Sequence, residues 1–218
     1  MAPASGAHRR STTTFATDRT ALLAKTAPAI FVLLWATGFL AAKLGVPYAH
    51  ALTILSIRFV LAALMMIGIA LLTQAPWPRS WRRVGHIAMT GILLHAIYLG
   101  ACYIAIYAGM PAGMAALIVG FQPILTAAFA GPLLGERVRS MQWVGIVVGF
   151  IGLMMVLWER IVIDLSHPIA LIMALLSLLG ITAATIYQKR FCPAFDLRSG
   201  AAIQYIAASI VTVPVAFW

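Results

Sequence analysis

Seven apolar runs, at residues 27–45, 52–72, 84–107, 112–134, 141–158, 165–187 and 199–218, take up nearly everything after the first 26 residues. Each is close to the roughly 17–25 residues that a helix needs to cross the hydrocarbon core of a bilayer. The connections between them are a few residues to about a dozen, so consecutive helices must be antiparallel neighbours with no room for an extramembrane domain. Composition agrees: 63% of the 218 residues are hydrophobic and 9% are charged, against about 25% charged in an ordinary soluble domain. That leaves too little polar surface for a water-soluble fold. The expected fold is all-α, a polytopic membrane bundle of seven transmembrane helices. The segment 1–26 is Ser/Thr/Ala-rich without apolar periodicity and reads as a disordered cytoplasmic tail.

The net charge of +10 would suggest nucleic acid in a soluble protein, but here the cations follow topology. With the N-terminus in the cytoplasm, Arg9, Arg10, Arg19, Lys25, Arg79, Arg82, Arg83, Arg137, Arg139, Lys189, Arg190 and Arg198 lie inside and only Arg160 outside. A 12-to-1 split of loop cations is what the positive-inside rule demands, and the reverse orientation would break it at every loop. The first run is long enough to span and is followed by six more, so it reads as an uncleaved signal anchor. Cys102 sits inside an apolar run and Cys192 beside a basic cluster, with neither a disulfide framework nor metal-ligand spacing.

The last run reaches Trp218 without a polar cap, as if the chain were cut off. Sliding the sequence on itself by 146 residues supports that reading: KLGVP at 43–47 falls on KRFCP at 189–193, and IRFVLAA at 57–63 on IQYIAAS at 203–209. Six of 46 aligned pairs are identical, close to chance in so apolar a chain, so the weight rests on the coincident Lys, Pro and polar-aromatic pair. Five spans separate each residue from its counterpart, and an odd number inverts orientation. Inverted repeats are the architecture of many secondary transporters, with the substrate near the midplane at the repeat interface. The expected organisation is a first five-helix repeat at 27–158 and a partial second repeat, two helices, at 159–218. The other reading is that seven helices are the whole protein and the repeat is noise.

Three segments carry a resemblance to a known family: LLWATGFLAAKLGVP in the first run, TILSIRFVLAAL at the start of the second, and PLLGERVRSMQWVGIVVGFIGLMMV across the fourth and fifth. In order and spacing they resemble the EamA family of the drug/metabolite transporter superfamily. That resemblance implies ten helices in two inverted repeats, a central cavity lined mainly by the first four helices of each, and export or exchange of small metabolites such as amino acids. Only the counterparts of the first two helices are present in the second half.

Candidate residues of a substrate path are the polar, aromatic and small residues inside the runs: Trp35, Gly38, Lys43, Arg58, His95, Tyr98, Gln122 and Pro123. Arg at a helix centre costs roughly 2.5–3.5 kcal/mol on insertion scales. Arg58, six residues into its run, leans toward the outer surface, where it either snorkels or faces a cavity; Lys43 leans back into the membrane. No Asp or Glu lies in any run, so these cations look to carbonyls, water or an anionic substrate group. A carboxylate-bearing metabolite fits better than a cationic drug. His95, with Tyr98 and Cys102 at i+3 and i+7, forms either a pore stripe or a hydrogen-bonded seam. Gln122 and Pro123 mark a bend or a cavity-lined gap in the fourth helix. Gly145 and Gly149 form a G-x-x-x-G packing motif that also allows a homodimer contact. Glu136 with Arg137 is a solvated cap or an inner-gate ion pair.

Other classes fail on residues. There is no G-x-S-x-G and no paired carboxylate at depth for a protease. A single deep histidine does not hold a haem, and the seventh run lacks a lysine for retinal. No cofactor, metal or nucleic acid is expected. The expected function is a secondary transporter exporting small metabolites across a bacterial inner membrane, not an enzyme. The rival is a non-transporting membrane module acting through helix association.

Overall fold

The computed structural model describes residues 26–217, apart from 28, 31, 34, 136–138 and 159–167. The proposed tail except Thr26, together with Trp218, Glu136 and Arg137, therefore lies outside the described residues. The chain divides into two compact units, Met1–Ala41 and Ala42–Trp218. Helix α1 is described without a break over 35–45. Within the second unit follow α2 (Ala51–Leu72), α3 (Trp81–Gly91), a π-helical stretch (Ile92–Leu99), α4 (Gly100–Tyr107), α5 (Ala112–Val119), α6 (Gln122–Leu134), α7 (Ser140–Trp158), α8 (Pro168–Phe191) and α9 (Leu197–Ala216). No strand occurs among the described residues. The protein is a helical membrane bundle.

Five described segments are long and apolar enough to span: α2, the continuous 81–107 stretch, 112–134, α8 and α9. At 1.5 Å per residue, the 22 residues of α2 extend about 33 Å, the thickness of a hydrocarbon core. Two helices extend beyond their apolar runs into charged residues. Helix α8 continues from 187 to Phe191 through Lys189 and Arg190, because cations in a last turn favour the exposed carbonyls of a helix C-terminus. Likewise α3 begins at Trp81, taking in Arg82 and Arg83. The fourth span is interrupted at Gly120 and Phe121, and Pro123 lies in the first turn of α6. There its missing N–H removes a donor that a helix start leaves unpaired anyway, so the proline initiates a helix rather than bending one.

Helix α9 packs principally along α2 and also against α3, while α8 packs against the π-helical stretch and α4. The α2–α9 pair is antiparallel: Ser199 at the start of α9 donates from Oγ to the carbonyl of Pro76, just past the end of α2, at 2.7 Å. Two glycines permit the close approaches. A Cβ on Gly91 would stand 2.5 Å from Cα of Gln204, and one on Gly180 would stand 3.1 Å from the backbone N of Tyr98. Without water to drive apolar association, such backbone proximity is what holds helices together in lipid. By contrast, a Cβ on Gly145, Gly149 or Gly152 would meet nothing within 4 Å; the G-x-x-x-G of α7 makes no close helix contact among the described residues.

The 146-residue offset recurs in the helix ends. Helix α1 ends at 45 and α8 at 191; α2 starts at 51 and α9 at 197. Between each pair lie five residues with proline second, Pro47 and Pro193. His50 caps α2, its Nδ1 accepting from the N–H of Leu52, and Asp196 caps α9, its carboxylate accepting from the N–H of Arg198. The capping backbones match as well, φ −58° and ψ 143° for His50 against φ −69° and ψ 125° for Asp196.

Candidate functional site

Where α2, the π-helical stretch and α9 converge, polar and aromatic side chains meet in the interior. The His95 ring stacks on Tyr205, centroids 4.4 Å apart and planes 24° off parallel. Phe59 borders both rings, at 5.7 Å from His95 and 6.2 Å from Tyr205. The buried Gln204 precedes Tyr205 on α9 and lies beside the imidazole. One residue along α2, Arg58 donates from Nη1 to the hydroxyl of Tyr103 at 3.2 Å. Phe59, Tyr103 and Gln204 are buried, and His95 is 9% exposed. Three buried polar atoms, Ser56 Oγ, His95 Nδ1 and Ser177 Oγ, have no hydrogen-bond partner among the described residues. Buried polar atoms are usually paired by protein or water, so these three stand out in an otherwise apolar interior.

The winding places His95. Residues 92–99 form i→i+5 bonds, and such stretches occur mostly as short insertions at functional sites. The wider turn separates residues that an α-helical count puts on one face. His95 faces α2 and α9, Tyr98 lies with its backbone against Gly180 of α8, and Cys102 lies beside Ser177 of α8.

The remaining sequence candidates are dispersed. Trp35 and Gly38 belong to the first unit, where Trp35 meets Phe39 edge-on at 5.4 Å and a Cβ on Gly38 would meet nothing. Lys43 is exposed near the end of α1. Gln122 donates from Nε2 to the hydroxyls of Thr126 at 2.9 Å and Thr185 at 3.3 Å, the second on α8. Pro123 instead lines a cavity of about 510 Å³ with Gly120, Gln142, Gly145 and Gly149. Among the described residues no group of three His, Cys, Asp or Glu is placed to hold a metal ion.

Sequence reading missed three features. Tyr205 and Gln204 were noticed only as counterparts of Phe59 and Arg58, although the aromatic beside a buried glutamine was a signal in itself. At the Asp196 end of the bundle, Nδ1 of His86 lies 2.8 Å from the Tyr187 hydroxyl and its ring stacks on Phe191 at 5.0 Å. Here too Asp196 receives two bonds from the Arg198 guanidinium, at 3.0 and 2.7 Å. This pairing holds the Asp196 carboxyl at about 2, below its ordinary 3.8.

Residues 23–158 match the model of the EamA-like transporter family, well over half of the chain and including Arg58, Phe59, His95 and Gln122. The chain belongs to the EamA-like transporter family. Among relatives of this EamA-like chain, the uncharacterized inner membrane transporter YedA of Escherichia coli K12 is 28% identical over 186 residues, 84% of this chain and 59% of the relative. The uncharacterized transporter YvbV of Bacillus subtilis is 27% identical over 203 residues, 92% of this chain and 63% of the relative. A probable amino-acid metabolite efflux pump of Salmonella typhimurium is 26% identical over 128 residues, 59% of this chain and 40% of that protein. The chain thus spans about three fifths of the length of the first two relatives. No solved structure matches it.

Proposed function

We propose that this EamA-like protein is a secondary transporter, or the larger part of one, that exports small carboxylate-bearing metabolites, amino acids among them, across a bacterial inner membrane. The observation that carries the reading is Arg58: within the spanning helix α2 its described hydrogen-bond partner is the neutral phenol of Tyr103, and no apolar run contains an acid. A guanidinium has five N–H donors in a fork shaped for a carboxylate, so an anionic substrate supplies the charge that the protein withholds. The ring stack of His95 and Tyr205 next to it gives the substrate a rigid wall. Two relatives named as probable amino-acid metabolite efflux pumps, from Salmonella typhimurium and Escherichia coli, point the same way. The N-terminus is cytoplasmic in this reading, from the distribution of loop cations. Its organisation is a repeat at 27–158 and the beginning of an inverted repeat at 159–218, supported by the shared helix ends and caps; a homodimer through α7 is compatible with it.

The test is efflux from proteoliposomes loaded with a panel of labelled amino acids and, separately, a lipophilic cation. Carboxylate efflux falls about tenfold in Arg58→Gln, the loss of roughly 1.4 kcal/mol of binding. Movement of the cation, with Arg58→Gln and Lys43→Gln both unaffected, would end the charge argument. Cysteines placed at 12, 80 and 162 check orientation, since only the last should label from outside intact cells.

A further inference from the structure

Two helices, α3 and α9, begin at the same end of the bundle, and their first turns are built differently. The start of α9 is tied to the α2–α3 connection by the bond from Ser199 to the Pro76 carbonyl and by one from Arg198 Nη1 to the Thr73 carbonyl at 3.5 Å. There Asp196 caps the first turn and pairs with Arg198, as a helix N-terminus favours, because its unpaired N–H groups attract negative charge. At the start of α3, Ser80 makes no side-chain capping bond and the first turn holds no acid. Arg79, Arg82 and Arg83 crowd within five residues instead, all of them exposed. Among the described residues none of the three makes a hydrogen bond or an ion pair. Asp196 is the one acid among those residues, and Arg198 already occupies it. Cations on the positive end of a helix dipole are disfavoured. Loop topology accounts for arginines in this connection, but not for two of them on an uncapped first turn.

Length sets the depth of this patch. The continuous 81–107 segment has 27 residues, about 40 Å at 1.5 Å each, against a hydrocarbon core of about 30 Å. The surplus belongs at the Trp81 end, which carries Arg82, Arg83 and His86, since the other end is apolar as far as Tyr107. Trp81 is 89% exposed and Trp77 41%, and indole rings favour the headgroup level.

We propose that the α2–α3 connection and the first turn of α3 form a binding site for an anionic phospholipid headgroup, its phosphodiester held by Arg79, Arg82 and Arg83 with Trp81 beside it. The site goes beyond the transporter reading and does not depend on it. A guanidinium matches phosphate oxygens two at a time, and the uncapped N–H groups of the turn are further donors to the same anion. A zwitterionic headgroup brings its own cation and gains less.

The test is native mass spectrometry of the full chain in detergent micelles, titrated with equal amounts of dioleoyl phosphatidylglycerol and dioleoyl phosphatidylcholine. The phosphatidylglycerol should be retained in preference. An arginine near an anionic lipid is worth about fivefold, so Arg82→Gln should weaken retention about fivefold and its combination with Arg83→Gln about 25-fold. Arg82→Lys with Arg83→Lys keeps the charge and should keep most of the retention. Arg139→Gln is the control for diffuse attraction. It removes the same charge just before α7, where the Gln142 side chain already accepts from the Arg139 N–H at 2.8 Å, and it should weaken retention less than Arg82→Gln does. Glycerol 1-phosphate, which has the phosphate without the acyl chains, should not displace the lipid at equal concentration; displacement would assign the patch to a soluble phosphate. That result overturns the proposal, as would equal retention of the two lipids, equal losses in Arg139→Gln and Arg82→Gln, or a lysine pair as weak as the glutamine pair.

Discussion

The glycines of two regions teach opposite lessons. Along α7 they are spaced as G-x-x-x-G, the pattern usually taken for close helix packing, yet a side chain on any of them would meet nothing within 4 Å. At the junction of α3, the π-helical stretch, α8 and α9 the glycines that matter, Gly91 and Gly180, stand alone in sequence, and each lies against the backbone of another helix. Spacing along one helix shows only that a groove is available; whether a partner fills it depends on the other helix. The seam holds because α9 comes to Gly91 and α4 with its π-helical lead comes to Gly180.

The largest expected effect tests that seam. Phe59 is fully buried against both His95 and Tyr205, and Phe59→Ala should cost about 2–4 kcal/mol, toward the low side of soluble cores because the unfolded reference is also in lipid. Unfolding in detergent micelles followed by tryptophan fluorescence gives the number, and a loss under about 1 kcal/mol would mean the ring stack is not a packing centre. Gly91→Ala should destabilise by about 1–3 kcal/mol, since its methyl would overlap backbone that cannot swing aside. Gly180→Ala, with contacts from 3.0 Å, should cost less than Gly91→Ala in the same assay; equality would show that distance to backbone is not what ranks them.

Gly149→Ala sharpens the contrast from the other side. With open space around it, the change should be within about 0.5 kcal/mol of neutral or stabilising, alanine being the better helix former. A large loss would reveal a partner on α7, such as a second copy. The smallest effect concerns pH. Because Arg198 holds the Asp196 carboxyl at about 2 against an ordinary 3.8, the pair's contribution is complete above pH 3.8 and is lost as pH falls toward 2. Asp196→Asn should flatten that limb of the stability profile: the variant's small deficit is full at neutral pH and disappears toward pH 2, where the native carboxyl is itself protonated.

Much of the fold was legible because apolar length is a blunt, additive signal: the runs at 52–72, 112–134 and 141–158 each match a helix or helix pair within a residue or so. Ends were misjudged at Lys189 and Arg82, where snorkelling cations continue a helix that a hydropathy count terminates. The site was less legible. Arg58, His95 and Tyr98 could be singled out as polar residues in lipid, but no local pattern announced the i→i+5 winding that separates His95 from Cys102. Tyr205 was harder still, since its importance comes from a contact across 110 residues with His95.

Phe59 and Tyr205 are counterparts at the 146-residue offset, and their rings lie 6.2 Å apart. A residue touching its own counterpart is what a rotation axis produces when it passes between them, as in the self-complementary patch of a symmetric dimer. Under the inverted-repeat organisation proposed above, such a position would have a particular history. Before two copies were joined, this contact would have been one side chain meeting itself across two chains, so that any substitution changed both sides at once. Fusion would have removed that constraint, leaving one copy free to acquire a phenol against the histidine while the other stayed an apolar ring. The pair would then record the divergence from a symmetric ancestor at the place where symmetry had been strictest.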